Sequence, residues 1–183
     1  MINVNSQILY KKFDNHLDIK DELLNLINKQ QSESLKPGQY ADNVSRLDWS
    51  SSNNFERPWV KFFMPHFIRN YNKLCLSMNR KSFQVKDIWF QQYEKDGTHG
   101  WHTHSENYTG VYYLEMPSGP QTQIYDGKII NLPVEEGDII IFPSFLIHRA
   151  PVIKDESRKT IISFNVNFEG IKNELLEVID EME

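Results

Sequence analysis

The strongest constraint on how this 183-residue chain can fold is a change of hydrophobic period at Arg80. Upstream, apolar residues recur every three or four positions. Val60, Phe63, Met64, Phe67, Ile68, Tyr71, Leu74, Cys75 and Met78 form one stripe, which predicts an amphipathic helix over 57–79. Ile19, Leu23, Leu26 and Ile27 predict a shorter helix over 18–29. Pro58 suits a first helical turn, whereas Pro65 predicts a kink or a second helix start. Downstream the period falls to two. Strands are expected over 83–92 (with a bulge), 108–116, 122–125, 128–132, 138–142 and 158–168. Asp126-Gly127 reads as a hairpin turn and Glu136-Gly137-Asp138 as another. Weak alternation over 2–10 suggests an edge strand, and the polar stretch 30–54 a long loop. Ile171, Leu175, Leu176 and Ile179 mark a short acidic helix.

Helices first and strands after them imply an α+β fold. The expectation is a single domain over 1–183. Residues 1–80 would be helical support and loop, 83–168 a sandwich or jelly-roll β core, and 169–183 the acidic C-terminal helix. Composition narrows the function classes. Hydrophobic residues make up 39% of the chain, enough for a core, and the net charge of −5 argues against a dedicated nucleic-acid binder. No apolar run approaches a membrane span, and residues 1–12 lack the apolar segment of a secretion signal. Cys75 is the only cysteine, so neither an internal disulfide nor a paired-cysteine zinc site is available. A cytoplasmic location is expected. The apolar N-terminal helices leave a homodimer open.

Three of the six histidines, His99, His102 and His104, fall within six residues. His-x-His at a strand end places both imidazoles on one side, where they can share a metal. His148, on a nearby strand, would complete the set. Arg158 follows ten residues later, with Thr160 on the same strand face. A guanidinium inside an apolar barrel requires an anionic partner, and its fork matches a carboxylate. Taken alone, a His-x-His pair is a weak signal and Arg158 would be a surface partner of Glu156. The combination in this order is what points to a metal site.

These strings together resemble the Fe(II)/2-oxoglutarate-dependent dioxygenases, and most nearly the small 2OG-Fe(II) oxygenase group related to prolyl hydroxylases. The residues that carry the resemblance are His102-Thr-His104, Thr109-Gly-Val-Tyr-Tyr-Leu114, Gly137-Asp-Ile-Ile-Ile-Phe-Pro-Ser144, His148 and Arg158-Lys-Thr-Ile-Ile-Ser-Phe-Asn165. The match covers roughly 83–168, almost half the chain. It implies a double-stranded β-helix, or jelly roll, binding Fe(II) through His102, His104 and His148. It also implies 2-oxoglutarate anchored on Arg158, with Tyr113, Tyr93 and Thr160 around it. Turnover would consume O2, release succinate and CO2, and hydroxylate an unidentified peptide or small molecule, with a peptidyl proline the first guess.

His104 departs from the family pattern, in which that ligand is Asp or Glu; Glu106 is the alternative. Three neutral imidazoles leave a metal its whole dipositive charge, which the 2-oxoglutarate dianion can neutralise. Two other classes remain in play. A three-His cupin-like dioxygenase would not use 2-oxoglutarate, and a non-catalytic β-sandwich module would bind no metal.

Overall fold

The computed structural model describes residues 8–36 and 42–182. In chain order the elements are β1 (Leu9–Lys12), α1 (His16–Lys29), β2 (Glu33–Leu35), β3 (Val44–Leu47), a 3-10 turn (Trp49–Ser51), α2 (Pro58–Ser77) and β4 (Arg80–Tyr93). There follow β5 (His99–His102), β6 (Tyr108–Glu115), β7 (Gln123–Tyr125), β8 (Ile129–Asn131), β9 (Asp138–Pro143), β10 (His148–Ala150), β11 (Lys159–Ile171) and α3 (Asn173–Asp180). The strands form two antiparallel sheets, a seven-stranded one in the order β1-β9-β6-β11-β4-β3-β2 and a four-stranded one in the order β5-β10-β7-β8. This is the expected α+β architecture, a double-stranded β-helix with helices on one side.

The large sheet is apolar on both faces, and strand parity divides it. Ile162, Phe164 and Val166 of β11 face the helices, where Phe63, Phe67 and Tyr71 of α2 pack against the sheet. Phe67 meets Phe164 with ring centres 4.8 Å apart, and Phe63 stacks on Tyr112 at 5.4 Å. Ile161 of β11, Val111 and Tyr113 of β6, and Ile140 and Phe142 of β9 face the other way, into the barrel. Gly110 lies where a side chain has no room. A β-carbon there would stand 2.4 Å from the Phe164 ring and 2.5 Å from the Ile140 carbonyl oxygen. The bulge expected in the first long strand lies opposite Asn165 and Val166, where the β4 register slips between Asp87 and Val85.

Three expectations need correction. Helix α2 runs unbroken through Pro65, so there is no second start. Pro65 is on the exposed face, where water can satisfy the carbonyl freed by its missing N–H. Ile68 is solvent-exposed rather than part of the buried stripe. The stretch 30–54 is not one loop, because it contains β2, β3 and the 3-10 turn, while 37–41 lie outside the described residues. Polar side chains fasten this edge. The Arg46 guanidinium donates to the Gln92 amide oxygen (2.8 Å) and to the carbonyl of Gln30 (2.9 Å), and the Ser45 hydroxyl donates to the Gln92 carbonyl (2.7 Å). Of the edge strand expected over 2–10, residues 2–7 lie outside the described residues; β1 occupies 9–12 and pairs with β9. Helix α3 forms but buries no residue. No helix among the described residues is long and apolar enough to cross a membrane.

A buried carboxylate joins helix, turn and barrel. Asp48 accepts hydrogen bonds from the Trp59 indole (2.8 Å), the Phe90 backbone N–H (2.9 Å) and Arg57. Arg57 also donates to the Ile88 carbonyl at 2.5 Å. Removing one partner leaves a buried charge uncompensated, at a typical cost of about 3–5 kcal/mol. Asp48→Ala should therefore lower unfolding stability by about that amount in urea titrations. A loss under about 1 kcal/mol would show that the pair contributes only what an exposed pair does.

Candidate metal centre

The small sheet brings the first and last histidines together. His102 ends β5, His148 opens β10, and the two are direct cross-strand partners. Directly opposed residues project to the same side, so both rings enter the barrel. His104 lies two residues beyond the strand end and is held by its own backbone, whose N–H donates to the Ser144 carbonyl at 3.0 Å. One ligating nitrogen from each of the three lies within 4.8 Å of the others. Glu106 is not part of this group; its carboxylate takes the Ser105 hydroxyl at 3.0 Å.

Hydrogen bonding sets which nitrogen each ring offers. His102 Nδ1 is 2.7 Å from the Gly100 carbonyl and His148 Nδ1 is 2.8 Å from the Leu146 carbonyl. A carbonyl only accepts, so both Nδ1 atoms carry the proton and both Nε2 lone pairs are free for a metal. Burial, reinforced by the neighbouring imidazoles, pushes His104 and His148 down to about 3, and burial also lowers His102. All three rings are therefore neutral near pH 7, the state that binds metal. The donor set suits a divalent first-row ion. His99 opens β5 and stacks on His102 at 4.0 Å between ring centres. Its Nε2 is 3.8 Å from the Asp42 carboxylate.

The three rings line a narrow cavity, and among the described residues none in its lining is acidic. Tyr93 lines it, and the Tyr113 hydroxyl is 2.5 Å from that of Thr122, another lining residue. Burial raises both phenols far above their ordinary range, so both are protonated. Both tyrosines belong to the barrel-side cluster.

Arg158 and Thr160 do not. Arg158 forms a two-pronged ion pair with Glu115 (3.0 and 3.1 Å) on the helix side of the large sheet, and a third bond reaches Asn28 at 3.2 Å. Thr160 shares that face and donates to Glu115 at 2.5 Å. The physical reason is parity. Successive strand residues point to opposite faces, so the cation that enters the barrel is Lys159. Lys159 is fully buried, opposite Tyr93 in the ladder and in phase with Ile161. Its ammonium donates to the Gln121 carbonyl (2.6 Å) and lies 5.4 and 6.0 Å from the ring centres of Tyr93 and Tyr113. Among the described residues it has no carboxylate partner, and burial pushes it down to about 7. A signal for it was present: Lys159, not Arg158, is in step with Ile161 and Ser163, the inward row.

No protein-family model matches the chain, and no curated protein matches it in sequence. Solved structures do match. An oxidoreductase of the 2OG-Fe(II) oxygenase family from Burkholderia pseudomallei superposes with a TM-score of 0.71 at 11% identity, over 91% of this chain and 87% of that one. The fold is that of the 2OG-Fe(II) oxygenases. A Pseudomonas putida prolyl-4-hydroxylase matches with a TM-score of 0.63 at 11% identity, over 91% of this chain and 95% of that one. HygX from Streptomyces hygroscopicus, solved with nickel and 2-oxoglutarate bound, matches at 0.66 and 9% identity, over 88% and 83% of the two chains. At such identities the likeness extends to the fold and not to individual residues.

The buried amine makes a pH prediction. Lys159 is lowered from 10.5 to about 7 in the folded chain, so between those values the unfolded chain binds more protons. Stability contributed at this position therefore rises with pH from about 7 to 10 and is lowest below 7. Lys159→Met should abolish that climb and stabilise the ligand-free protein by about 1–4 kcal/mol at neutral pH. Parallel curves for the two proteins in thermal melts over this range would refute the burial of a protonatable amine.

Proposed function

We propose that this chain is an Fe(II)- and 2-oxoglutarate-dependent oxygenase that hydroxylates an organic substrate and releases succinate and CO2. The observation that carries this is Lys159, a buried amine that has no carboxylate partner among the described residues and lies in the same barrel as three convergent neutral imidazoles. A keto diacid satisfies both ends, chelating a metal with one and pairing with Lys159 through the other. His102, His104 and His148 would hold the iron, which together with the keto acid and O2 supplies the oxidising chemistry.

The remaining tasks belong to the chain. The bonds from His102 and His148 to backbone carbonyls fix the ring orientations. Lys159 receives the distal carboxylate, and the Tyr93 and Tyr113 phenols remain protonated as donors beside it. Phe142, whose ring meets His148 at 4.8 Å, and Val111 and Ile161 keep the interior apolar. The similarity to a prolyl-4-hydroxylase makes a proline-containing peptide the first substrate to test. His104 favours a second reading, a three-His dioxygenase that does not use 2-oxoglutarate.

An anaerobic titration separates the readings. Fe(II) is added to metal-free protein, then 2-oxoglutarate, and the visible spectrum is followed. A charge-transfer band is expected. Lys159→Ala should need at least about tenfold more 2-oxoglutarate to develop it, since a hydrogen bond to a charged group contributes about 1.5–3 kcal/mol. Arg158→Ala should need little more than the unchanged protein. Iron binding without a band would favour the second reading, and no iron binding would leave a non-catalytic β module.

A further inference from the structure

We infer that His104 makes metal binding and 2-oxoglutarate binding depend on one another, because the centre it completes offers no negative charge of its own. The inference rests on the function proposed above and concerns the same site. Three imidazoles supply nitrogen lone pairs but no charge, so a bound divalent ion keeps its full dipositive charge. Among the described residues no carboxylate lines the cavity to offset it. Asp42 is the nearest acid to the histidines, and it is engaged elsewhere. It accepts the Gly100 backbone N–H at 2.8 Å and lies 3.8 Å from His99, which stacks on His102, so its charge acts on His102 from outside the ligand set. The buried Asp138 is already paired, with Lys12 at 2.8 Å, and two basic residues lie nearer the histidines. Lys159 is sealed inside, and Arg149 lines the cavity while its guanidinium stacks on Trp101 at 4.5 Å.

A dication placed in this surrounding is poorly compensated, and charge interactions are strong where water is excluded. A chelating dianion cancels the excess. It binds weakly without the metal, and the metal binds weakly without it. Linkage requires the two effects to be equal: whatever factor the keto acid adds to metal affinity, the metal adds to keto acid affinity. A carboxylate at position 104 would pre-neutralise part of the charge. It would tighten the metal alone and weaken the mutual dependence.

The test needs no turnover. Ni(II), which is redox-silent here, is titrated calorimetrically into the metal-stripped full-length protein, with and without saturating 2-oxoglutarate. The unchanged protein should bind Ni(II) at least about tenfold more tightly with the keto acid present, as expected for a substantial coupling. His104→Gln keeps a neutral donor and should retain that ratio, whereas His104→Glu and His104→Asp should bind the ion more tightly alone and show a ratio reduced severalfold. A merely structural role for His104 would not separate Gln from Glu. Equal ratios in Gln and Glu variants overturn the inference, and so does a ratio near one in the unchanged protein, which requires no variant to fold. Ni(II) affinity unaltered by His102→Ala and His148→Ala would place the ion elsewhere and overturn the proposed function as well.

Discussion

The ladder between β4 and β11 is the constraint on which the rest of the structure depends. It runs from Lys159 opposite Tyr93 to Ile171 opposite Arg80, and β11 pairs with β6 on its other side. A central strand buried on both faces cannot slip by one residue without exchanging its two rows of side chains. Here the rows are unequal. Ile162, Phe164 and Val166 mesh with the aromatic face of α2, while Ile161 and Ser163 face the histidines. The large rings on the helix side therefore decide which groups the barrel interior receives, although none of them approaches the centre.

Charge is handled differently on the two sides of this sheet. On the helix side the cations are matched: Arg57 with Asp48, and Arg158 with Glu115. Pairs of this kind hold elements in place. In the barrel, Lys159 has a carbonyl and two aromatic faces but no counter-ion among the described residues. An uncompensated buried charge is costly, and the Lys159 amine holds its proton correspondingly less tightly, at about 7.

Much of this was legible in the sequence, to different depths. The helical stripe and the period-two segments located α1, α2 and the long strands, because burial on one face leaves a regular apolar signature. His102 and His148 were legible because they are rare residue types at strand ends. The β2–β3 edge was not, since Ser45 and Arg46 join the sheet through hydrogen bonds rather than apolar alternation. Arg158 was misplaced for a related reason. The segment from Lys159 to Asn165 is buried on both faces, so hydrophobicity alone does not tell inward from outward there. A count of ten residues from His148 selects a neighbourhood, and only the ladder selects a side.

The connection between the third histidine and the barrel cation, 151–158, contains no named strand or helix, but Ile153 pins it midway, buried and hydrogen-bonded to the backbone of Asp96 and Gly97 at 2.9 Å. Both of its ends are clamped independently, His148 by its pairing with His102 and Ile124, and Lys159 by Tyr93. One residue more or fewer between Ile153 and Lys159 would be absorbed as slack in the exposed part of that connection, and the amine would stay where the strand holds it. The interval between the two residues is thus an elastic quantity, while the phase of the cation within its strand is rigid. Chains of this architecture are better compared by phase than by interval, because two sequences with different spacings can present the same interior and two with the same spacing can present different ones.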